Sequence, residues 1–341
     1  MLRYLVERLF WTIPMLVVIS ALIFTIIQLP PGDFISNQIA ELESQGEQGA
    51  TAKAEFLRKE YGLDRPMVEQ YAVWLGVWPG PRGLSGLLQG DWGWSFEFQK
   101  PVIDIAGHAI GPTIAINALA VLVIYFIALP IGVLSAVNKD GLFDTIISIC
   151  VYVAMAIPGF LLALLLLYYA NSWFGLSIGG LMDPIYEDQP WSLDKASSVV
   201  THLIVPVLVI AAGGAAAMIR RLRANLLDEL ERPYVAAARA RGLSETKLIW
   251  KYPVRMALSP FIADIGNLLP SLVSGSVIVS VVLSLPAMGP VLVRALQSQD
   301  TLLASFIMLF VAVLTIVGML ISDVLLAFLD PRIRLGQGVA K

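Results

Sequence analysis

The stretch LFWTIPMLVVISALIFTIIQL, residues 9–29, carries no charged side chain and runs directly into Pro30, Pro31 and Gly32. About 20 mostly apolar residues, each rising ~1.5 Å, cross a hydrocarbon core of ~30 Å. Only a helix satisfies the backbone of such a segment in lipid. Arg3 and Arg8 precede the run in the manner of a secretory leader. The apolar part is longer than the ~7–15 residues of a leader core, however, and no small-x-small cleavage site follows, so it reads as a retained first span. Five further runs meet the same length: Pro112–Val137, Phe143–Asn171, Val199–Ile219, Leu258–Leu285 and Leu303–Leu329. Prolines at 14, 130, 158, 206 and 270 are expected to kink these helices without breaking them. The predicted fold is an all-α integral membrane protein of six transmembrane helices, with a large insertion on the outer face after the first.

Bulk composition agrees. Hydrophobic types make up 57% of the 341 residues and charged types 14%, against roughly 45–50% and 25% in soluble domains. The single cysteine, Cys150, lies in an apolar run, which excludes a disulfide framework or a Cys-rich metal site. His108 and His202 are far apart and read as satisfied helix-end residues.

Lysine and arginine in short loops set orientation. With the N-terminus inside, the cytoplasmic segments hold 15 basic residues, nine of them between Arg220 and Arg255. The two short outside loops hold only Lys195 and Arg294. Both termini are therefore predicted to be cytoplasmic. The linear division is 1–30 for the N-terminus and first span, 31–111 for a periplasmic domain, 112–330 for spans two to six with a cytoplasmic loop at 220–257, and 331–341 for a cytoplasmic tail.

Connections beyond ~12–15 residues are usually functional or disordered, which singles out the loop at 220–257. Glu229, Glu231 and Pro233 suit a helix start. The run Tyr234–Arg241 is rich in Ala and Arg, both helix formers. Gly242 supplies a C-cap, and Ser244 opens the next helix as N-cap. Ala236, Ala237, Ala238 and Ala240 leave little side-chain bulk, while Arg239, Arg241 and Lys247 ring them with positive charge. Such a helix below the membrane fits a docking knob for a cytosolic partner. On the residues alone, plain positive-inside charge on a solvated loop explains the stretch equally well.

The segment from Tyr234 through Ala-Arg-Ala-Arg-Gly-Leu243, continuing to Arg255-Met-Ala-Leu-Ser-Pro260, resembles the EAA loop of bacterial ABC importer permeases. More narrowly it resembles the oligopeptide/dipeptide/nickel type. That resemblance implies a type I permease fold and a coupling helix, at Tyr234, Ala237, Ala238, Arg239, Arg241, Gly242 and Leu243, docked on a nucleotide-binding subunit. Ala236 stands where many such permeases have Glu, which removes any salt bridge built on that acid. The resemblance also implies two ATP-binding subunits holding ATP and Mg, a second homologous permease forming a heterodimer, and a periplasmic substrate-binding protein. Short peptides are the implied cargo, with oligosaccharides, opines or nickel as alternatives. No cofactor is expected in this chain, and no nucleic acid partner.

The outside segment, with 11 acidic and six basic residues between Pro30 and Gly111, is too polar to span. It contains helical stretches at Thr51–Tyr61 and Met67–Leu75. Its Pro31-Gly32-Asp33, Leu57–Pro66 and Gly90-Asp-Trp-Gly-Trp-Ser95 blocks resemble the same family's periplasmic region, and the resemblance implies that Asp91, Trp92 and Trp94 meet the binding protein. Trp74, Trp78, Trp92 and Trp94 fit stacking on a sugar or gripping a partner. Interfacial anchoring is the plainer reading, since Trp favours the headgroup level.

There is no G-x-x-x-x-G-K-[ST] run and no H-E-x-x-H, so ATP hydrolysis is not expected of this chain. Asp264 and Asp323 fall near the predicted cytoplasmic ends of spans five and six and read as partners of loop arginines. The competing class is an ion-coupled secondary transporter, which calls for inverted repeats and paired broken helices with midplane charge. Gly213, Gly214 and the alanines after them permit either close helix packing or a pathway.

Overall fold

The computed structural model describes residues 2–30, 32, 34–36, 50–81, 83–175, 179–262, 265, 268 and 275–329. The middle of the fifth predicted span with Asp264, the Pro31-Gly32-Asp33 turn at its two flanks, the insertion at 37–49 and the tail beyond 329 lie outside these residues. Among the described residues, four helices are long and apolar enough to cross a membrane, or five if one bent pair counts as a single span. The helices are α1 Leu2–Gln28, α2 Ala50–Tyr61, α3 Met67–Leu75, α4 Val102–Val137, α5 Leu142–Ala156, α6 Gly159–Phe174, α7 Leu193–Leu230, α8 Pro233–Ala240, α9 Glu245–Lys251, α10 Pro253–Ala257, α11 Val277–Val282, α12 Met288–Gln297 and α13 Thr301–Leu329. A two-stranded antiparallel hairpin, β1 Trp94–Ser95 and β2 Lys100–Pro101, pairs Trp94 with Pro101.

Prolines 14, 130 and 206 remain inside their helices. Pro158 does not: α5 and α6 meet at 97°, which corrects the expected kink to a break. Ile157 adopts φ −82°, ψ 120°, the extended conformation that a following proline imposes, and Gly159 then starts a new helix. Two helices exceed their expected limits. α4 begins at Val102, well before Pro112, and α7 runs on past Ile219 to Leu230, because a helix does not stop where lipid does. Only its apolar part is visible as a span in sequence.

The chain forms two compact units. The first comprises residues 1–5, 112–286 and 314–341. Within it α7 is the axis, packing against α5, α6, α10 and α11. Small residues set its close approaches. A Cβ placed on Gly214 would lie 2.6 Å from Ile124 Cδ1, and one on Gly132 would lie 2.9 Å from Leu222 Cδ2. Gly213, one position along, would meet nothing within 4 Å. The two readings of this glycine pair therefore separate: Gly214 is a packing residue and Gly213 faces open space. Gly214→Leu is expected to destabilise the fold by ~1–3 kcal/mol through overpacking. Gly213→Ala is expected to be neutral or to gain ~0.5–1 kcal/mol of helix propensity. Thermal unfolding of the two variants in detergent tests the difference.

The second unit comprises residues 6–111 and 287–313. Its main core joins Val102, Ala106 and Ala109 of α4 to Met288 and Ala295 of α12 and to Leu303, Phe306 and Ile307 of α13. The predicted outer helices occur where expected, at α2 and α3. α3 lies on α1, with Ser20 Oγ and Tyr71 Oη 2.8 Å apart and the Phe24 and Trp74 rings at 5.4 Å. Asp300, fully buried, ends the loop before α13 and collects three donors: Ser95 Oγ at 2.6 Å, the Glu97 N–H at 3.1 Å and the Leu303 N–H at 3.3 Å. One carboxylate thus caps a helix and holds the hairpin. Asp300→Ala would strand those donors, at a cost of about 1–3 kcal/mol read as a lower unfolding midpoint. Burial also pushes this carboxyl above its ordinary range, against the pull of Ser95 and the backbone donors. The folded unit therefore holds this proton more tightly than the unfolded chain. That contribution is present below the ordinary carboxylate pKa and is lost as pH rises through the raised value. Asp300→Asn should flatten this acid-side dependence.

Candidate coupling site

The loop after α7 begins as helix. α7 ends at Leu230, two residues pass, and Pro233 opens α8 at a position where its missing N–H costs nothing. Tyr234 Oη donates to Glu229 Oε2 at 2.5 Å across this junction. Burial, followed by the Glu229 carboxylate, raises the Tyr234 hydroxyl well above the usual phenol range. α8 closes at Arg241, and Gly242 turns the chain at φ +77°, a left-handed conformation that a Cβ disfavours. Ser244 stands at the N-cap of α9 as expected, but its side chain makes no capping hydrogen bond.

α8 is eight residues long, about 12 Å. Val235 and Ala238 are buried against Leu248 of α9, with Leu243, Ile249 and Tyr252 packed around them. Ala236, Ala237, Arg239, Ala240 and Arg241 are exposed. The expected site residues therefore divide. Ala237, Arg239, Arg241, Gly242 and the partly exposed Tyr234 lie on the accessible side, whereas Ala238 lies on the inner face and Leu243 is half-buried. The charge is also less uniform than the sequence implied. Arg239 Nε sits 2.6 Å from Glu245 Oε1, and Nη2 sits 3.2 Å from Oε2. That pair raises the guanidinium pKa and lowers the carboxyl, but both groups are solvated and such a pair adds little stability. The result is a low-relief alanine surface with a half-neutralised basic rim, supported from beneath by a small apolar cluster.

Sequence reasoning missed the group that ties this region to the bundle. Asp144, in the first turn of α5, is buried and receives a fork from Arg223 of α7: Nε to Oδ1 and Nη2 to Oδ2, both 2.6 Å. Ser135 Oγ of α4 and the Asp140 N–H also donate to it. The available signal was an acid just inside a predicted span together with an arginine just beyond another. A cavity of this unit, about 160 Å³, lies at the α5–α6 break and is lined by Gly159, Val209, Gly213, Gly275 and Val279.

The outer-face candidates sit in the second unit. Asp91 is exposed and accepts from the Gly93 N–H. The Trp92 ring stacks on Phe306 at 4.2 Å. Trp94 packs beside Ile35 and Phe96. Trp74 is only 5% exposed and is a core residue, not an anchor at a headgroup surface. Trp78 is exposed. His202, also buried, directs Nδ1 to the Ser198 carbonyl at 2.8 Å and Nε2 towards Asp183 at 3.7 Å. Among the described residues no group of His, Cys, Asp and Glu is placed to hold a metal.

Residues 128–335 match the family of binding-protein-dependent transport system inner membrane components, and residues 1–117 match the N-terminal part of such membrane components. The oligopeptide transport system permease protein AppB of Bacillus subtilis is 31% identical over 98% of this chain and 99% of its own length. The glutathione transport system permease protein GsiC of Pectobacterium atrosepticum is 30% identical over 98% and 99%. The inner membrane ABC transporter permease protein YejB of Escherichia coli O157:H7 is 28% identical over 97% and 98%.

Proposed function

The chain belongs to the binding-protein-dependent transport system inner membrane components, the permeases of ABC importers, and from that membership we propose that it imports short peptides and takes its driving force through α8. The observation that carries the docking role is the division of α8 into a packed inner side and an exposed alanine side. A helix of that form seats closely in a groove and moves as a unit with what lies beneath it. Cytosolic ATPase subunits supply the grooves, holding ATP and Mg themselves. Nucleotide binding draws the docked helices together. α8 then moves α7, and Arg223 passes the displacement to α5 through Asp144. A switch of this kind responds only to the difference in interaction free energy between its two states.

Both termini lie in the cytoplasm, on the charge asymmetry of the loops. A homologous permease completes the pore as a heterodimer, and a periplasmic binding protein delivers cargo to the second unit, with Asp91, Trp92 and Trp94 near that contact. Peptide cargo is supported by the oligopeptide and glutathione names of the relatives. The test is uptake of labelled di- and tripeptides into proteoliposomes containing the permease pair, the ATPases and the binding protein. Accumulation that needs all components and ATP is expected. Uptake by this chain alone on an ion gradient would instead establish a secondary transporter, and ATP-driven uptake of oligosaccharide alone would replace the cargo.

A further inference from the structure

α9, Glu245–Lys251, has two unlike sides. Leu248 is fully buried and Ile249 half-buried, and both belong to the cluster that holds Val235 and Ala238 of α8. Glu245 turns to α8 as well, with Oε1 2.6 Å from Arg239 Nε. The other side is exposed. Lys247, Trp250 and Lys251 stand at i, i+3 and i+4, the spacing that brings side chains together on a helix. Trp250 is 57% exposed, and Lys251 Nζ lies 5.3 Å from the centre of the Tyr252 ring. With Glu245 committed to Arg239, the two lysine charges are uncancelled within α9. The outer side of this helix is therefore an indole between two ammonium groups.

That combination suits a lipid–water boundary. Indole rings settle at the headgroup level, and lysine lays its stem on apolar surface while its ammonium reaches outward. The position in the chain agrees. Only α10, five residues and about 7.5 Å of rise, and one residue on either side of it separate Lys251 from Ser259, and the fifth apolar run begins at Leu258. The headgroup layer on one side of a bilayer is about 5–8 Å thick. Met256, on α10, is also exposed. A second marker fixes the same level: the Arg221 guanidinium, just beyond the apolar run of α7, lies 6.0 Å from the centre of the Phe261 ring. We propose that the Lys247, Trp250 and Lys251 face of α9 binds the headgroups of anionic phospholipid. Leu248 then passes this support to Val235 and Ala238, so the bilayer surface backs the inner side of α8 while its alanine side stays open. Only that last consequence rests on the docking role given to α8 above. The lipid contact stands on α9 itself.

The experiment is a fluorescence titration of the full-length chain in detergent micelles, without partner subunits. The probes are phosphatidylglycerol and phosphatidylcholine with the same brominated acyl chains. The difference in emission between the parent and Trp250→Phe isolates Trp250 from the other tryptophans. Trp250 is expected to be quenched by phosphatidylglycerol at a lower mole fraction than by phosphatidylcholine. Lys247→Gln and Lys251→Gln should each raise the phosphatidylglycerol half-point about fivefold, the worth of one lysine at an anionic surface, and added salt should shrink that difference. All three substitutions are at exposed positions, and an unfolding midpoint equal to the parent's is the control. An unquenched Trp250, equal half-points for the two lipids, or lysine variants that match the parent would overturn the proposal. So would protection of Trp250 from the brominated lipid on adding the ATPase subunits, which would give this face to them. Each of these results leaves the need of uptake for ATP and all components as it was. Uptake without ATPase subunits would strike the function and leave the Trp250 titration unchanged.

Discussion

An Ala237→Trp chain is expected to fold and insert normally while losing ATP-driven uptake by about 10–100-fold. Ala237 is exposed, on the opposite side of α8 from the Val235–Ala238–Leu248 cluster, so a larger side chain there meets solvent in the isolated chain. In a seated complex it meets a groove shaped for a methyl group. Overfilling a packed contact costs roughly 1–3 kcal/mol, and each 1.4 kcal/mol is tenfold in affinity. The readouts are co-purification of the ATPase subunits and uptake in proteoliposomes, with thermal unfolding of the chain alone as control. Arg241→Glu should act in the same direction and grow weaker with added salt. Glu245→Gln releases Arg239 from its exposed partner and should leave the unfolding midpoint where it was. Wild-type association and uptake in Ala237→Trp would remove α8 from the coupling route.

Much of this architecture was legible because lipid imposes a long apolar run on every span, and such runs are visible without knowledge of neighbours. α2 and α3 occur within a residue of the helical stretches expected for them, and Pro66 and Gly76 stand at the two ends of α3. The turn at Gly242 was likewise a local signal. What escaped was set by distant residues. The 97° break at Pro158 is not a property of proline alone, since the prolines at 130 and 206 stay helical. Ala238 was grouped with Ala237 because the loop was read as a string. Its i+3 spacing from Val235 places it on the inner face, and Leu248 decides which face is inner. Trp74 was placed among interfacial tryptophans, although Phe24 of a different helix covers it.

Asp144→Ala is expected to be the most damaging single change in the first unit, at about 3–5 kcal/mol, the usual cost of breaking a buried ion pair from one side. The carboxylate is 3% exposed and the Arg223 side chain 27%, so water relieves only part of the stranded charge. Three segments lose an anchor together: Ser135 at the end of α4, the turn at Asp140 and Arg223 of α7. The acid in the first turn of α5 is also favoured by the positive end of that helix, which Asp144→Asn gives up while keeping the shape. The double variant Asp144→Leu, Arg223→Met should recover most of the lost stability, because replacing both partners with apolar groups avoids the orphaned charge. Stability and transport then part company. If the pair merely holds the fold, the double variant regains uptake along with its unfolding midpoint. If Arg223 passes the movement of α8 to α5, uptake stays low in a chain that is as stable as the parent and still retains its ATPase subunits. Melting curves and proteoliposome uptake on the same three proteins separate the two roles, and recovered uptake in the double variant would assign the pair to folding alone.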